Sequence, residues 1–310
     1  MNIVAVDPVR IFPEHATILR SLGDVTIYDT EHKDSTEAFE RLRDAEIIIL
    51  YGAHIEGEVI EKLDKAKLII VCAAGYDWVN IGAAQKKGIL VTHCPGSNGE
   101  AVAEFTIGLI IEAARNFYDA AKMASQGIFS KDYHGVELKG KTIGIIGYGT
   151  IGKRVAEIAQ RAFGMNVLTT NSKSSRADLV LLLTNSDFIS INAPSNAHTR
   201  NMIGQKELAL TKKGVVLVNT GRGAVIDEDA LYDALRSGHI HGAGLDVMQT
   251  EPFIKDHKLF SLPNVIITPH IAYNTEETDF RLSAQIAEIA KSYIDGNTKY
   301  VIPEMKTMKT

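Results

Sequence analysis

The 310-residue chain lacks most features of a secreted, membrane-spanning or metal-binding protein. It has two cysteines, Cys72 and Cys94, which lie on different predicted elements without the spacing of metal ligands. No apolar run approaches the roughly 18 residues that a membrane helix needs, and no basic leader precedes the first apolar residues. These absences predict a cytoplasmic protein with no membrane span and no bound metal.

Clustered positive charge is also absent. The net charge is −5, and the longest basic runs are the pairs at 86–87 and 212–213. A nucleic-acid surface needs clustered positive charge, so we expect no nucleic-acid partner. The hydrophobic fraction of 45% and the charged fraction of 23% are ordinary for a globular protein, and the length allows two domains.

Short apolar runs alternate with segments of helical period along the chain. The predicted strands lie at 2–6, 25–28, 47–50, 68–72 and 89–92, and then at 142–146, 166–170, 188–192, 215–219, 241–245 and 265–268. This alternation predicts an α/β protein with two doubly wound parallel sheets. A last helix at 276–294 is expected to return to the first unit. The predicted domains are therefore residues 1–98 plus 275–310, and residues 99–274.

An unusually apolar stretch follows the turn cluster at 94–99. Residues 100–125 predict one long helix with apolar side chains all along it. Such a helix is too apolar for a solvated position. We therefore expect it to be buried in the core or in a subunit contact.

Three glycines, Gly147, Gly149 and Gly152, stand between a predicted strand and a predicted helix as G-x-G-x-x-G. The first allows a tight turn, the second lets the backbone approach a pyrophosphate, and the third allows close helix–strand packing. The start of the helix then offers N–H groups to the phosphates. Because the spacing occurs between strand and helix, it predicts a dinucleotide site.

Three charged residues, Arg222, Glu251 and His270, follow predicted strands of the second domain. Ligands of an open parallel sheet bind beyond the carboxyl ends of its strands. A guanidinium can hold the carboxylate of a keto acid, and an imidazole can protonate its carbonyl oxygen. A carboxylate can orient that imidazole and favour its charged form. Each residue could instead be an ordinary turn or capping residue, so the assignment depends on whether the three side chains converge.

Further segments match one enzyme family in order along the chain. They are A-G-Y-D at 74–77, Asn98 with A-V-A-E at 101–104, N-T-G-R-G at 219–223, G-L-D-V at 244–247 with E-P at 251–252, and T-P-H-I-A at 268–272. The whole chain thereby resembles the D-isomer-specific 2-hydroxyacid dehydrogenases, which include D-lactate dehydrogenases and glyoxylate and hydroxypyruvate reductases. The resemblance implies a Rossmann cofactor domain inserted in a flavodoxin-like substrate domain. It also implies reduction of a small 2-keto acid such as glyoxylate, hydroxypyruvate or pyruvate.

The resemblance also assigns roles to residues. It implies that Arg222 binds substrate, that His270 is the acid/base, and that Glu251 is its partner. The substrate is expected to contact residues of the first domain, namely Tyr51, Ala74, Gly75 and Tyr76, although the two tyrosines could instead pack in the wall of the cleft. The cofactor is expected to contact Val102, Gly147, Gly149, Thr150, Ile151, Gly152, Asn171, Ser172, Lys173, Arg176, Ala193, Pro194, Thr199, Thr220, Gly221 and Asp246. Since family members are usually dimers, we expect a homodimer through helix 100–125.

The residue after the second strand of the cofactor domain departs from the family pattern. Members that prefer NAD carry an aspartate there, which binds the ribose diol and repels a 2′-phosphate. Here the residue is Asn171, and Lys173 and Arg176 follow it. Those cations could pair with a 2′-phosphate, so NADP is favoured over NAD. Asn171 could still bind the diol, in which case the basic residues are simply solvated.

Two other functions remain open. A phosphoglycerate dehydrogenase needs basic groups near the substrate phosphate, but 51–54 and 72–78 contain no Lys or Arg. Related co-repressor proteins keep this fold and bind a dinucleotide to control assembly with peptide partners. The catalytic residues alone do not exclude that alternative.

Overall fold

The computed structural model describes residues 1–130 and 134–305, which form two compact units. One unit comprises Met1–Asn98 and Asn274–Thr310, and the other comprises Gly99–Tyr273. The predicted second boundary lay one residue later, and positions 131–133 and 306–310 of the predicted domains lie outside the described residues. Within the described ranges, no helix has both the length and the apolar character needed to cross a membrane.

The first unit begins with alternating strands and helices. They are β1 (Asn2–Ala5), α1 (Pro13–Leu22), β2 (Asp24–Ile27), α2 (Ser35–Leu42), β3 (Ile47–Leu50), α3 (Gly57–Glu61), β4 (Leu68–Val71), α4 (Ile81–Lys87) and β5 (Leu90–His93). Every residue of β3 and β4 is buried. This accounts for their continuous apolar sequence, because strands of a parallel sheet are covered on both faces.

The strand order of this sheet is β2-β1-β3-β4-β5, and its neighbouring strands pair in parallel. The order reverses between β1 and β3, and ligands of open parallel sheets bind at the carboxyl ends of strands near such a reversal. Asp7 follows β1 and is only 2% exposed. Its carboxylate accepts the N–H groups of Tyr51 (3.1 Å), Gly52 (2.6 Å) and Ala53 (2.8 Å). Asp7 therefore holds the loop after β3 in place.

The second unit has the same alternation. Its elements are α5 (Gly99–Arg115), α6 (Phe117–Ser125), β6 (Thr142–Ile146), α7 (Thr150–Phe163), β7 (Asn166–Thr170), α8 (Arg176–Asn185), β8 (Phe188–Ile191), α9 (Gln205–Leu210), β9 (Val215–Asn219), α10 (Glu228–Arg236), β10 (Ile240–Leu245) and β11 (Val265–Ile267). Short 3-10 turns occupy Gly223–Val225 and Lys258–Ser261. The predicted fold class, two doubly wound parallel-sheet domains, is confirmed.

The strand order of this second sheet is β11-β10-β9-β8-β6-β7, again with parallel pairing. It reverses between β6 and β8. The common order 3-2-1-4-5-6 places another strand outside the one that corresponds to β7. Among the described residues no strand lies there, because the turn after Thr170 leads directly into α8. β7 is therefore an edge strand.

The prediction of one helix over residues 100–125 is wrong. The helix ends at Arg115, and Asn116 takes a left-handed conformation with φ of 50° before α6 begins. α5 lies directly on β10: a Cβ atom on Gly244 would be 2.9 Å from the Cβ of Leu109. The apolar residues of α5 are thus intramolecular core. α6 has no buried residue.

The last helix, α11 (Glu276–Ile294), belongs to the first unit, as expected. It packs beside α1, where the rings of Phe12 and Phe280 meet edge to face with centroids 5.1 Å apart. Leu282 and Ile286 of α11 join the core cluster that contains Ile3. This helix therefore covers one face of the first sheet.

Candidate active site

The glycine turn lies at the point where the strand order of the second sheet reverses. Gly147 has φ of 95°, and a Cβ atom on it would be 2.7 Å from the backbone nitrogen of Ala193, in the loop after β8. A Cβ on Gly152 would be 2.2 Å from the carbonyl oxygen of Gly147. Contacts this short exclude a side chain at both positions unless the backbone moves.

Gly149 differs from the other two glycines because it faces open space. A Cβ on it would have no described atom within 4 Å. Gly149 caps α7, and no described side chain bonds to the N–H groups at the start of this helix. Thr150 is exposed and Ile151 is half-buried. The turn thus has the space and the N–H donors that a pyrophosphate requires, so it fits a dinucleotide.

The loops after β8 and β9 meet beside this turn. A Cβ on Gly221 would be 2.7 Å from the carbonyl oxygen of Ala193, which brings the two backbones together. Thr199 closes the loop after β8 by donating from its hydroxyl to the carbonyl of Pro194 at 2.7 Å. The structure therefore brings these predicted cofactor residues to the same edge of the sheet.

Thr220, in the loop after β9, contacts α5, the helix that carries Val102. The hydroxyls of Thr220 and Thr106 are 2.8 Å apart, and Thr106 donates to the carbonyl of Val102 at 2.6 Å. Val102 is only 4% exposed. Its cofactor contact stays a prediction.

The residues after β7 form a tight polar turn. The Asn171 side-chain oxygen accepts the N–H of Lys173 at 2.8 Å, and the Asn171 N–H donates to the hydroxyl of Ser174 at 3.0 Å. Asn171, Ser172 and Lys173 are exposed. The side chain of Asn171 thus shapes its own turn, and its amide nitrogen remains available for a ribose oxygen.

Arg176 forms an ion pair with Glu207. The Arg176 side chain is 56% exposed, whereas Glu207 is 13% exposed. Burial raises the pKa of Glu207, but the bond from Arg176 and the N–H of Gly204 outweigh burial and lower it. Glu207 therefore remains a carboxylate that competes with any phosphate for Arg176.

His270 and Glu251 form the dyad that the sequence predicts. Nδ1 of His270 lies 2.7 Å from Oε2 of Glu251. A carboxylate only accepts hydrogen bonds, so Nδ1 carries the hydrogen and Nε2 is left for proton exchange. The other oxygen of Glu251 accepts the N–H of Met248 at 3.0 Å. Burial raises the pKa of Glu251, but the hydrogen bond and charge of His270, with the Met248 N–H and the charge of Arg222, lower it overall.

Arg222 reaches the same neighbourhood because its turn packs on the loop after β10. A Cβ on the next residue, Gly223, would be 1.9 Å from the carbonyl carbon of Met248. Asn219 braces the turn by accepting the N–H of Gly221 and donating to the carbonyl of Arg222, both at 3.0 Å. The guanidinium also donates to the carbonyl of Gly221 at 2.9 Å. The three predicted side chains thus come from loops that contact each other.

Asp246 lies beneath this group and is only 1% exposed. Its carboxylate accepts from the hydroxyl of Thr268 (2.7 Å) and from the N–H groups of Ile271 (3.0 Å) and Ala272 (2.9 Å). Its backbone carbonyl accepts the N–H of His270 at 2.9 Å. Burial raises the pKa of Asp246, despite these bonds and the charge of His270. The expected contact of Asp246 with the cofactor stays a prediction.

His270 itself has an uncommon backbone conformation, with φ of 54°. Non-glycine residues rarely adopt this left-handed region, although histidine does so more often than most. Hydrogen bonds hold this turn in place. They comprise the bonds to Asp246 and a bond from the His270 N–H to the carbonyl of Thr268 at 2.9 Å. Such conformations persist where contacts with the surrounding structure stabilise them.

The predicted substrate residues of the first unit follow β3 and β4. The N–H groups of Ala74 and Gly75 have no hydrogen-bond partner among the described residues, which leaves them able to bind an anion. The hydroxyl of Tyr76 donates to Glu304 at 3.2 Å, and its ring lies edge-on to His93. Tyr51 is half-buried against the core. Contact of either tyrosine with substrate stays a prediction.

Sequence reasoning missed Asp7 altogether. It named Asp246 but missed that this carboxylate holds a loop. A signal was present, since each directly follows an apolar strand. Their partners are backbone N–H groups far along the chain, which no side-chain motif reveals. Among the described residues, no group of histidine, cysteine and carboxylate side chains could hold a metal ion.

The glycine turn generates a paired test. Gly149→Ala should leave the unfolding midpoint unchanged but weaken dinucleotide binding about tenfold, because its methyl group points into open space. Gly152→Ala should lower the free energy of unfolding by about 1–3 kcal/mol, because its methyl group meets backbone. Urea unfolding and titration of NADPH fluorescence measure the two effects. Loss of stability with intact binding in Gly149→Ala would contradict the assignment.

Comparison with known proteins identifies the family. A family model described as the NAD binding domain of D-isomer specific 2-hydroxyacid dehydrogenase matches residues 107–272. A glyoxylate reductase of Aeropyrum pernix is 37% identical over 307 residues, covering 93% of this chain and 91% of that protein.

Two further relatives show the range of activities. A D-3-phosphoglycerate dehydrogenase of Methanocaldococcus jannaschii is 37% identical over 309 residues, covering 96% of this chain but only 58% of that protein. The solved structure of an acyclic imino acid reductase in complex with NADPH and D-Arg has a TM-score of 0.89 and 32% identity, covering 97% of this chain and 100% of that one.

These matches confirm the resemblance inferred from the motifs, and relatives that match more than nine-tenths of the chain are named as reductases or dehydrogenases. The chain therefore belongs to the D-isomer-specific 2-hydroxyacid dehydrogenase family and is an oxidoreductase that acts on the CH–OH group of 2-hydroxy acids with a nicotinamide dinucleotide.

Proposed function

We propose that this enzyme reduces a small, unphosphorylated 2-keto acid such as glyoxylate, hydroxypyruvate or pyruvate. The observation that carries the proposal is the dyad, in which Nδ1 of His270 lies 2.7 Å from Glu251 while the charge of Arg222 acts on the same carboxylate. Besides a hydride donor, reduction of a keto acid requires a cation that binds its carboxylate and a group that protonates its carbonyl oxygen. The Aeropyrum relative, which matches nearly the whole chain, is named a glyoxylate reductase.

In the proposed mechanism, Arg222 binds the substrate and polarises its carbonyl group, since a guanidinium offers paired N–H donors in a fixed plane. The dinucleotide, when bound, supplies the hydride that forms the new C–H bond. Nε2 of His270 gives its proton to the carbonyl oxygen as that oxygen becomes a hydroxyl. Glu251 accepts the bond from Nδ1 throughout and stabilises the charged imidazole before transfer.

An unphosphorylated substrate is favoured by the loops of the first unit. Residues 51–54 and 72–78 contain no Lys or Arg, whereas a substrate phosphate needs cationic partners. The phosphoglycerate dehydrogenase relative extends well beyond the match, since this chain spans 58% of its length. We therefore place phosphorylated keto acids second.

Steady-state kinetics test this function. Purified enzyme with NADPH or NADH should reduce glyoxylate, hydroxypyruvate or pyruvate faster than a phosphorylated hydroxypyruvate. Arg222→Lys should lower kcat/KM about a hundredfold, because a point charge cannot reproduce the planar fork. Arg236→Lys, at the end of α10, is the matched control and should keep wild-type rates. Absence of turnover with every keto acid, or normal turnover in Arg222→Lys, would contradict the proposal.

We also propose that NADP is preferred over NAD. Asn171 places no negative charge at the end of β7, and the exposed Lys173 and Arg176 follow it. A like charge about 4 Å from a 2′-phosphate would cost roughly 4 kcal/mol at an effective dielectric near 20. The imino acid reductase of similar structure was solved with NADPH.

Binding titrations with both dinucleotides test the preference. Arg176→Ala should raise the Kd of NADPH about tenfold and leave that of NADH unchanged, because only NADPH carries the 2′-phosphate. Glu207→Gln should tighten NADPH binding, since it releases Arg176 from its ion pair. Arg161→Ala, which removes a 79% exposed arginine from α7, is the control. Equal changes for both dinucleotides in Arg176→Ala would contradict this role.

The proposed setting is a homodimer in the cytoplasm. Both cysteines are free and buried, and burial raises the pKa of Cys94 to about 12, as suits unreactive thiols in a reducing compartment. For the dimer, α6 is favoured over α5, since Phe117 and Tyr118 of α6 are 54% and 61% exposed. A cavity of about 640 Å³ is lined partly by Tyr118 and Phe260. Exposed apolar side chains next to a cavity are typical of protein contacts.

Sedimentation velocity tests the dimer. The wild-type enzyme should sediment as a dimer at micromolar concentration, and the double variant Phe117→Asp with Tyr118→Asp should shift it towards monomer by adding unpaired charge to an apolar contact. Lys62→Glu, a charge change at an exposed position directly after α3, is the control. A monomeric wild-type protein would contradict the proposal.

A further inference from the structure

The loop that carries Glu251, residues 249–257, has little apolar anchoring. Gln249 and Thr250 are exposed, the side chain of Glu251 is 31% exposed, and Ile254 is 57% exposed. Phe253 is the partly buried apolar contact of this loop with the core. An exposed loop with so few buried contacts is expected to open easily unless polar contacts hold it. The position of Glu251 therefore depends on hydrogen bonds.

The carboxylate of Glu228, the first residue of α10, contacts both ends of this loop. Its Oε1 accepts the N–H of Gln249 at 2.6 Å, two residues before Glu251. Its Oε2 lies 3.2 Å from Nε2 of His257 at the other end. Both side chains are mostly buried, with exposures of 13% for Glu228 and 20% for His257.

The hydrogen-bonding chemistry of His257 makes this contact directional. Nδ1 of His257 accepts the N–H of Leu259 at 3.4 Å and thereby caps the 3-10 turn that follows. An imidazole whose Nδ1 accepts must carry its hydrogen on Nε2. The nitrogen that carries this hydrogen lies 3.2 Å from Oε2 of Glu228, so the contact is electrostatically favourable with neutral as well as with charged His257.

We propose that Glu228 is a positioning residue for the reaction: by holding Gln249 and His257 together, it fixes Glu251 against His270. Because catalysis is sensitive to displacements of about 1 Å, a loosened loop would lower the rate without removing any group that touches substrate. The kinetic part of this inference rests on the proposed keto-acid reduction. The structural part does not.

Hydrogen–deuterium exchange of the whole enzyme tests the structural part. Glu228→Ala should speed exchange of the amides in 249–257 by about tenfold, because the Gln249 N–H loses its acceptor and the His257 side chain loses the carboxylate that it contacts. Glu228→Gln keeps one acceptor oxygen and should fall between the alanine variant and wild type. Asp233→Ala removes an exposed carboxylate from the same helix and should leave this exchange unchanged. Unchanged exchange in Glu228→Ala would overturn the inference.

A double-mutant cycle with Glu251 tests the kinetic part. Glu228→Ala should lower kcat about tenfold and leave the Kd of the dinucleotide unchanged. In a Glu251→Gln background the same substitution should cost less than about twofold, because the group that it positions is already gone. An equal loss of kcat in both backgrounds would show general destabilisation and overturn the positioning role. A wild-type enzyme without turnover would refute the proposed function, and the exchange result would still decide whether Glu228 holds the loop.

Discussion

The buried carboxylate of Asp246 is the interaction on which the candidate active site depends. A carboxylate taken out of water is tolerated only when hydrogen bonds replace its hydration. Asp246 obtains them from Thr268, Ile271 and Ala272, the residues on either side of His270. The need to satisfy one charge at the end of β10 therefore determines the course of the turn after β11. The left-handed backbone of His270 lies within that turn.

The first unit also has a buried aspartate that binds the backbone of a loop. Asp7 follows β1, is buried, and accepts backbone N–H groups from the loop after the neighbouring β3. In each unit a carboxylate at the end of a buried strand binds the backbone of a neighbouring loop. Loops at the carboxyl ends of parallel strands are where such sheets bind ligands, and a fixed loop presents its side chains in one arrangement. Asp7 and Asp246 therefore fix the loops at the carboxyl ends of the two sheets.

The sequence predicted the elements of the fold better than the contacts of the site. Continuous apolar runs such as Ile47–Leu50 identified the buried strands, because a parallel sheet covered on both faces leaves no polar alternation. The glycine spacing identified the turn after β6, because close backbone contacts exclude side chains there. The helix at 100–125 was mispredicted because apolar residues occur on both sides of Asn116. Their pattern gives no sign that Asn116 takes a left-handed conformation.

Contacts between distant residues were out of reach for a different reason. The ion pair of Arg176 with Glu207 and the hold of Glu228 on Gln249 join side chains or backbone groups from separate elements. These contacts form only because the loops bring residues that are distant in sequence together. A local sequence pattern does not show which loops meet. His270 with Glu251 was predictable because two loops of the second unit carry recognisable motifs.

The position of β7 at the border of its sheet has a consequence for how this enzyme can change through evolution. With no described strand outside it, the turn at 171–176 projects from the rim, and its side chains are almost all exposed. Exposed substitutions usually alter stability by no more than about 0.5 kcal/mol. Replacements at this rim can therefore accumulate without loss of folding. If the proposed role of this turn in cofactor preference holds, that preference is free to change among descendants while the core stays constant.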